Sequence, residues 1–384
     1  MYRLSYADWG AAEYLAVLRS VLGGRIAHGV QPQRLAETLA RRYAPSRAYP
    51  VNFGHVAIGL ALSAFARRAP GRKQVVVPSF ICPSVPQAVR AQGLEVVWAP
   101  VRADLNLDPA RLGACIGPDT LAVIAPHMYG CPAAIGEIEA ICNAAGVFLV
   151  DDAAQLAGVE HEGRLLGTWG DVGILSFAQS KGVVTGINGS GGVLLVNNPQ
   201  LDTELSAAIA ALPLPRGRLR VLTEFVWNYL WEGYTGKSGY YLARLFRKLG
   251  LKPQQVSGPA RISNIEAGIA LAQFERLGQL NAARAATVER YQQALQAIGI
   301  DFPQYGPGRC LSRVVVALPP DLDLPRLRAA LQREGVQSRL AYTVPQEADP
   351  AWNTQLLGLP FRGDMPKTEV EAICSSLQRA IRSQ

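Results

Sequence analysis

Six short runs in this chain are apolar on both sides of the strand repeat, and they alternate with stretches of helical periodicity. From Val75 onward "QVVVP", "LEVVWAPV", "TLAVIAPHMYG", "GVFLVDDAAQ", "VGILSFAQ" and "GGVLLVNN" follow one another, with helix-compatible sequence such as "IGEIEAICNAAG" between several of them. A strand with one face in water alternates apolar and polar residues, so runs that do not alternate must be covered on both faces. A mainly parallel sheet flanked by helices meets that condition, and the expected class is α/β. Ahead of these runs, "HVAIGLALSAFARRA" has helical spacing and predicts a helix beginning at Gly54. The free N–H groups at such a start form a ready site for a phosphate.

The pattern changes after Lys252. A long helical stretch, "ISNIEAGIALAQFERLGQLNAARAATVERYQQALQAIG", leads into "RCLSRVVVALP", a helix "LPRLRAALQREG" and a final helix "TEVEAICSSLQRAIRS". Residues 1–252 are expected to form a large domain and residues 253–384 a smaller α+β one. A chain of 384 residues, 49% hydrophobic, is long enough for roughly two domains.

Composition removes several function classes. No run approaches the roughly 20 apolar residues of a membrane span, and the N-terminus lacks a basic head followed by an apolar stretch, so a cytoplasmic protein is expected. Six cysteines show no CxxC spacing and four histidines no HExxH pairing, so neither a disulfide framework nor a metal site is expected. The net charge of +8 sits mostly between residues 213 and 252, as Arg216, Arg218, Arg220, Lys237, Arg244, Arg247, Lys248 and Lys252 against Glu224 and Glu232. Concentrated there, it does not point to a nucleic-acid partner.

The chemistry gathers where strands end. Lys181 follows the run Ile174–Phe177 and precedes the Gly-rich "GVVTGINGSGG". A lysine partly desolvated at the crevice edge of a parallel sheet has the lowered pKa that condensation with an aldehyde requires; the bland reading is a surface lysine. "VFLVDDAAQ" ends in two adjacent carboxylates, Asp151 and Asp152, a costly arrangement unless a cation waits there. Asp152 reads as the partner of a protonated pyridine nitrogen, or equally as a helix N-cap, and Asp151 reads as structural. Gln155 is placed to bond the cofactor's phenolic oxygen. Ser176, Gly54 and His55 are candidates for the phosphate cradle, against ordinary strand serine and turn glycine. His127 and Tyr129, ending the strand in "PHMYG", and Tyr342 in "RLAYTVPQEADPAWNTQLLGLP" are candidates for contact with substrate. Together these residues suggest an aldehyde cofactor with a pyridinium nitrogen.

With these motifs in this order, the chain resembles the DegT/DnrJ/EryC1/StrS sugar aminotransferases, of fold type I among pyridoxal-phosphate enzymes. The ordered set "VVVPSF", "DLNLDPARLGACIGPDTLAVIAPHMYG", "VFLVDDAAQLAGVEHEGRLLGTWGDVGILSFAQSK", "GSGGVLLVNN", "ISNIEAGIALAQFERL" and "LGLPFRGDMPKTEVEAI" covers most of the sequence. The resemblance implies a mainly parallel seven-stranded sheet with pyridoxal 5'-phosphate held covalently by Lys181. It places Asp152 on the pyridinium, Gln155 near the phenolic oxygen and Ser176 on the phosphate. Arg261, in "GPARIS", matches an arginine that reaches the phosphate of the neighbouring subunit's cofactor, which implies a homodimer with shared sites. The implied activity is transfer of an amino group from an amino acid, glutamate foremost, to a keto sugar or related keto compound in cell-surface polysaccharide or secondary-metabolite biosynthesis. The chain departs from the family pattern at the phosphate turn, here Phe53-Gly54-His55-Val56, at Cys82 in place of a stacking aromatic residue, and at Pro259 in place of an asparagine.

Residues 213–252 have no counterpart in that alignment. "VLTEFVWNYLWEGY" sets Val221, Leu222, Phe225, Val226, Tyr229 and Leu230 on one expected helical face, and "YYLARLFRKLG" sets Tyr241, Leu242, Leu245, Phe246 and Leu249 against Arg244, Arg247 and Lys248. Two expectations follow for this basic, aromatic helical insertion: a hairpin covering the dimer interface or cleft, or peripheral contact with an anionic inner-membrane surface. The rival activities are a pyridoxal-phosphate lyase or dehydratase of the same fold, disfavoured because the family's sugar dehydratases replace the lysine, and a non-catalytic binding or regulatory protein.

Overall fold

The computed structural model describes residues 1–4, 7–178, 181–185, 190–215, 217–231, 241, 245–246, 248–250, 258–300, 302, 309, 312–345, 348 and 355–384. The first nine strands are β1 (Arg47–Val51), β2 (Gln74–Pro78), β3 (Glu95–Ala99), β4 (Thr120–Pro126), β5 (Phe148–Asp152), β6 (Glu160–His161), β7 (Arg164–Leu165), β8 (Val172–Ser176) and β9 (Gly192–Val196). Seven of them form one sheet in the order β1-β9-β8-β5-β4-β2-β3. β3, β2, β4, β5 and β8 pair in parallel, while β9 is antiparallel to both β8 and β1. All six apolar runs are strands of this sheet, and β4, β8 and β9 are buried at every residue.

The seventh strand, β1, was not legible. Its sequence, "RAYPV", contains Pro50, which has no N–H to give a ladder; at the sheet edge only one neighbour must be bonded.

Both faces of the sheet are covered. One packs against α2 (Gln31–Arg42) through Leu35 and Leu39, and against the helices Ile135–Ala145 and Asn264–Glu275. The other packs against α3 (Gly54–Arg68) and the helix Ser84–Ala91 through Ile58, Leu62, Phe65, Val85 and Val89. Each such fully buried side chain contributes roughly 1.5–3 kcal/mol by leaving water.

β10 (Val314–Leu318), β11 (Arg339–Leu340) and β12 (Gln355–Leu359) make a second, antiparallel sheet in the order β10-β12-β11. It has a core of its own, to which the helices Leu277–Ala297, Leu324–Arg333 and Lys367–Arg382 supply Tyr291, Leu295, Leu327, Leu331, Ile373 and Leu377.

The single long helical stretch expected after Lys252 is two helices, Asn264–Glu275 and Leu277–Ala297. Arg276 lies between them at φ −116°, ψ 16°. The first starts in a capping box, with Ser263 accepting from the Glu266 N–H and Glu266 accepting from the Ser263 N–H. The break leaves the first helix packed on α1 (Ala11–Leu22) and α2, and aims Arg276 at Glu13, 2.8 Å away.

Within the basic segment, Arg216, Glu232, Lys237, Leu242, Arg244, Arg247 and Lys252 lie outside the described residues, as does the side chain of Leu230. The helix Arg218–Trp231 buries Val221 and Phe225 against Ile26, Ala27, Ile265 and Ile269. Val226 departs from the expected face: it is 45% exposed, because five residues after Val221 the helix has turned well past one revolution. Among the described residues no helix is long and apolar enough to cross a membrane.

Candidate active site

β4, β5 and β8 are neighbours and run parallel, so their carboxyl ends, at Pro126, Asp152 and Ser176, share one edge of the sheet. Ligands of open α/β sheets bind at such an edge. A cavity of about 280 Å³ opens there, and Lys181, Asp152, Gln155, Ser176, Gly54 and His55 all line it. Phe53, Cys82 and Met128 complete the wall nearest these groups.

Asp152 is 7% exposed. Its Oδ1 accepts from the Ala154 N–H at 3.1 Å, closing a turn; no helix follows, so the N-cap reading does not apply. Burial pushes its carboxyl above the usual carboxylate range, and the charge of Lys181 opposes that shift. Lys181 is partly buried, and desolvation pushes its amine below the ordinary lysine value, with Asp152 again opposing. The cavity therefore holds an acid in want of a cation beside an amine driven toward its neutral form.

Gln155 is fixed on two sides: its Oε1 accepts from Ser312 Oγ at 2.8 Å, and its Nε2 reaches Met128 Sδ at 3.8 Å. At the opposite end, α3 begins with no side-chain cap, Phe53 being extended at φ −148°, ψ 147°. Gly54 touches Ser176 so closely that a Cβ on it would lie 3.2 Å from Ser176 Cβ. An uncapped helix start beside a serine hydroxyl favours an anion. The imidazole of His55 stacks on Phe53 at 4.8 Å, and burial lowers its pKa.

Four residues proposed from sequence lie away from the cavity wall. The ring of His127 is fully buried: Nδ1 accepts from the Ala133 N–H at 3.0 Å, which leaves the proton on Nε2 to be donated to Asp151 Oδ1 at 2.7 Å. Asp151 Oδ2 accepts from the N–H groups of Gly167 and Trp169, so Asp151 is a structural acid whose acceptors are occupied. Tyr129, at φ +53°, stacks on Tyr342 at 5.5 Å behind Cys82. Arg261 donates from Nη2 to the Ala210 carbonyl, and its Nε is buried with no partner among the described residues.

Other participants carried no local signal. The backbone just past Lys181 is held by Arg284, whose Nη1 donates to the Gly182 carbonyl at 2.7 Å and whose Nη2 pairs with Asp8 at 2.7 Å. Gln273 bonds both backbone groups of Val184, and Trp9 Nε1 donates to the same carbonyl at 2.8 Å. These contacts join segments about a hundred or more residues apart, so no spacing pattern announces them.

The chain matches the model of the DegT/DnrJ/EryC1/StrS aminotransferase family over residues 8–372. The erythromycin biosynthesis sensory transduction protein EryC1 of Saccharopolyspora erythraea is 28% identical over 355 residues, covering 91% of this chain and 85% of that relative. Among solved structures, Helicobacter pylori PseC, an aminotransferase involved in the biosynthesis of pseudoaminic acid, is similar with a TM-score of 0.80 at 14% identity over 100% of both chains. The dehydratase ColD, which acts on GDP-4-keto-6-deoxymannose, is similar with a TM-score of 0.77 at 16% identity over 98% of this chain and 100% of its own. At these identities the two structures attest the fold, and the family match attests the rest. The chain belongs to the DegT/DnrJ/EryC1/StrS aminotransferase family and is a pyridoxal-phosphate-dependent aminotransferase.

Proposed function

We propose that this enzyme carries an amino group from an amino acid, glutamate foremost, to a keto sugar or related keto compound destined for cell-surface polysaccharide or a secondary metabolite. The observation that supports this reading is one cavity lined at once by Lys181, Asp152, Gln155, Ser176, Gly54 and His55. Its chemistry fits pyridoxal phosphate at three points: the buried acid for a ring N–H, the amine for the aldehyde, and the uncapped start of α3 with Ser176 for the phosphate. When bound, the cofactor supplies a cationic ring that draws electrons from the substrate carbon carrying the nitrogen.

The chain's own groups do the remaining work. Asp152 keeps a positive charge on the ring side of the cavity. Gln155, held by Ser312, would bond the phenolic oxygen. Lys181 would hold the aldehyde at rest and, as a free amine, would take the proton from the substrate carbon and return it at the other end of the transfer, a task that needs a neutral amine near pH 7. Burial moves the amine of Lys181 toward that form.

Arg261 does not line the cavity of its own chain, which agrees with a role at the phosphate of a neighbouring subunit's cofactor in a homodimer. Leu15, Leu18 and Leu22 on α1 and Leu219 on the adjoining helix are exposed, and a second copy would cover them. Contact of residues 213–252 with an anionic membrane is the rival for this face; co-sedimentation with anionic vesicles separates the two. A cytoplasmic enzyme of two units, residues 1–252 and 253–384, completes the reading, supported by the separate core of the second sheet.

Lys181 sets this reading apart from a dehydratase of the same fold, and its place with Asp152 in one cavity sets it apart from a binding protein. Borohydride reduction in the presence of pyridoxal phosphate, followed by peptide mapping, is expected to label Lys181 alone; a label on another lysine, or on none, removes the proposal. At the phosphate end, Gly54→Val pushes a branched side chain against Ser176 and is expected to weaken cofactor binding by about 10²-fold in an absorbance titration.

A further inference from the structure

We infer that Arg313, backed by the hydroxyl of Tyr129, forms the receptor for the carboxylate of the amino donor, in the corner that Ser312 joins to the cavity-lining Gln155. The inference rests on the aminotransferase reading and names the residues that hold the first substrate. Arg313 immediately precedes β10, and its neighbour Ser312 staples this point of the chain to the cavity wall. Ser312 Oγ donates to Gln155 Oε1, and the Ser312 N–H donates to the Tyr129 carbonyl, both at 2.8 Å. The guanidinium carbon of Arg313 lies 5.7 Å from the centre of the Tyr129 ring. Gly358, opposite, leaves room for the side chain: a Cβ there would stand 3.4 Å from Arg313 Cδ.

Two donors in this corner are unspent. Among the described residues Arg313 makes no ion pair and no hydrogen bond, only its contact with the Tyr129 face. Tyr129 Oη is buried and, among the described residues, no acceptor takes its proton, although its ring is locked between Phe80 and Tyr342. A buried hydroxyl and a desolvating guanidinium both gain from an anion with two acceptor oxygens, and the planar fork of arginine matches a carboxylate.

The anion is the donor's carboxylate rather than the phosphate handle of an activated sugar, because of distance from the reacting amine. In an amino acid the carboxylate and the transferred nitrogen share one carbon, so its receptor must stand close to Lys181. Ser312, the residue before Arg313, bonds Gln155, which lines the same cavity as Lys181, so Arg313 stands next to that cavity, and its charge also helps hold the amine down. A phosphate handle on the acceptor would lie at least a sugar ring further away.

The test compares the parent enzyme with R313Q, R313K and Y129F, each carrying bound pyridoxal phosphate. Calorimetric titration with 2-methylglutamate, which has no α-hydrogen to lose, reads binding without turnover. R313Q is expected to weaken it by about 10²-fold and Y129F by about tenfold, with R313K between the parent and R313Q. In single-turnover absorbance experiments the glutamate concentration for half-maximal rate rises in step, while reaction of the aminated enzyme with a nucleoside-diphosphate keto sugar stays within about threefold. Unchanged 2-methylglutamate affinity in R313Q overturns the assignment, as does a loss confined to the keto-sugar step, which would give Arg313 to a phosphate. R313K keeps charge and packing, so a loss there equal to that in R313Q, with an altered cofactor spectrum, marks a collapsed site and also counts against the assignment. Failure of the parent itself to take nitrogen from any amino acid would instead sink the aminotransferase reading beneath it.

Discussion

Lys181→Ala is expected to lower the rate of amino transfer by at least about 10⁴-fold while leaving the protein folded. The side chain serves twice in the proposed chemistry, as the amine that holds the cofactor and as the base that moves the proton, so its removal deletes both functions together. The amine sits in the cavity, desolvated, and makes no ion pair or hydrogen bond among the described residues. Far-ultraviolet circular dichroism and the unfolding midpoint should match the parent. Added methylamine should restore part of the proton transfer but not the covalent attachment. Retention of more than about a tenth of the parent rate would show that another group is the base.

Asp152→Asn is expected to cost about 10³-fold in turnover and to act on stability in opposite directions with and without cofactor. The catalytic loss follows from removing one partner of a buried charge pair, typically about 3–5 kcal/mol. For stability the sign follows from the raised pKa of Asp152. The folded protein keeps this proton to a higher pH than the unfolded chain does, so stability falls as pH rises from the ordinary carboxylate pKa through the folded one, and the cost remains above it. Asparagine cannot ionise and escapes that cost. Without cofactor the variant should therefore unfold at a higher temperature than the parent near pH 7, with the two converging in acid. With pyridoxal phosphate present the order should reverse, because the parent then has a cation for its carboxylate. Parallel pH profiles of the two cofactor-free proteins would remove burial of this acid as the source of the effect.

The cavity-lining residues were legible because strand ends write themselves into sequence. Lys181, Asp152 and Ser176 each stand at or just past an apolar run that closes in polar residues, and Gly54 stands where helical spacing begins. In a parallel sheet those ends must face the same way, which brings the residues together. His127 shares that signature and yet is not at the cavity, because Asp151 and the Ala133 N–H hold both of its nitrogens in the core. A strand end says where a side chain starts, and local bonding then decides where it points.

By itself the amino-acid order determined the class of fold, the six apolar strands, the start of α3 and the lysine and acid that line the cavity, all of which follow from periodicities of a few residues. Tertiary structure alone decided the edge strand β1, the break at Arg276, and the second ring of groups around the site. Arg284 on Gly182, Gln273 on Val184, Ser312 on Gln155 and Arg313 over Tyr129 meet across segments distant in sequence. Such pairings depend on how whole elements pack rather than on any neighbour in the chain, so they leave no repeat to be read.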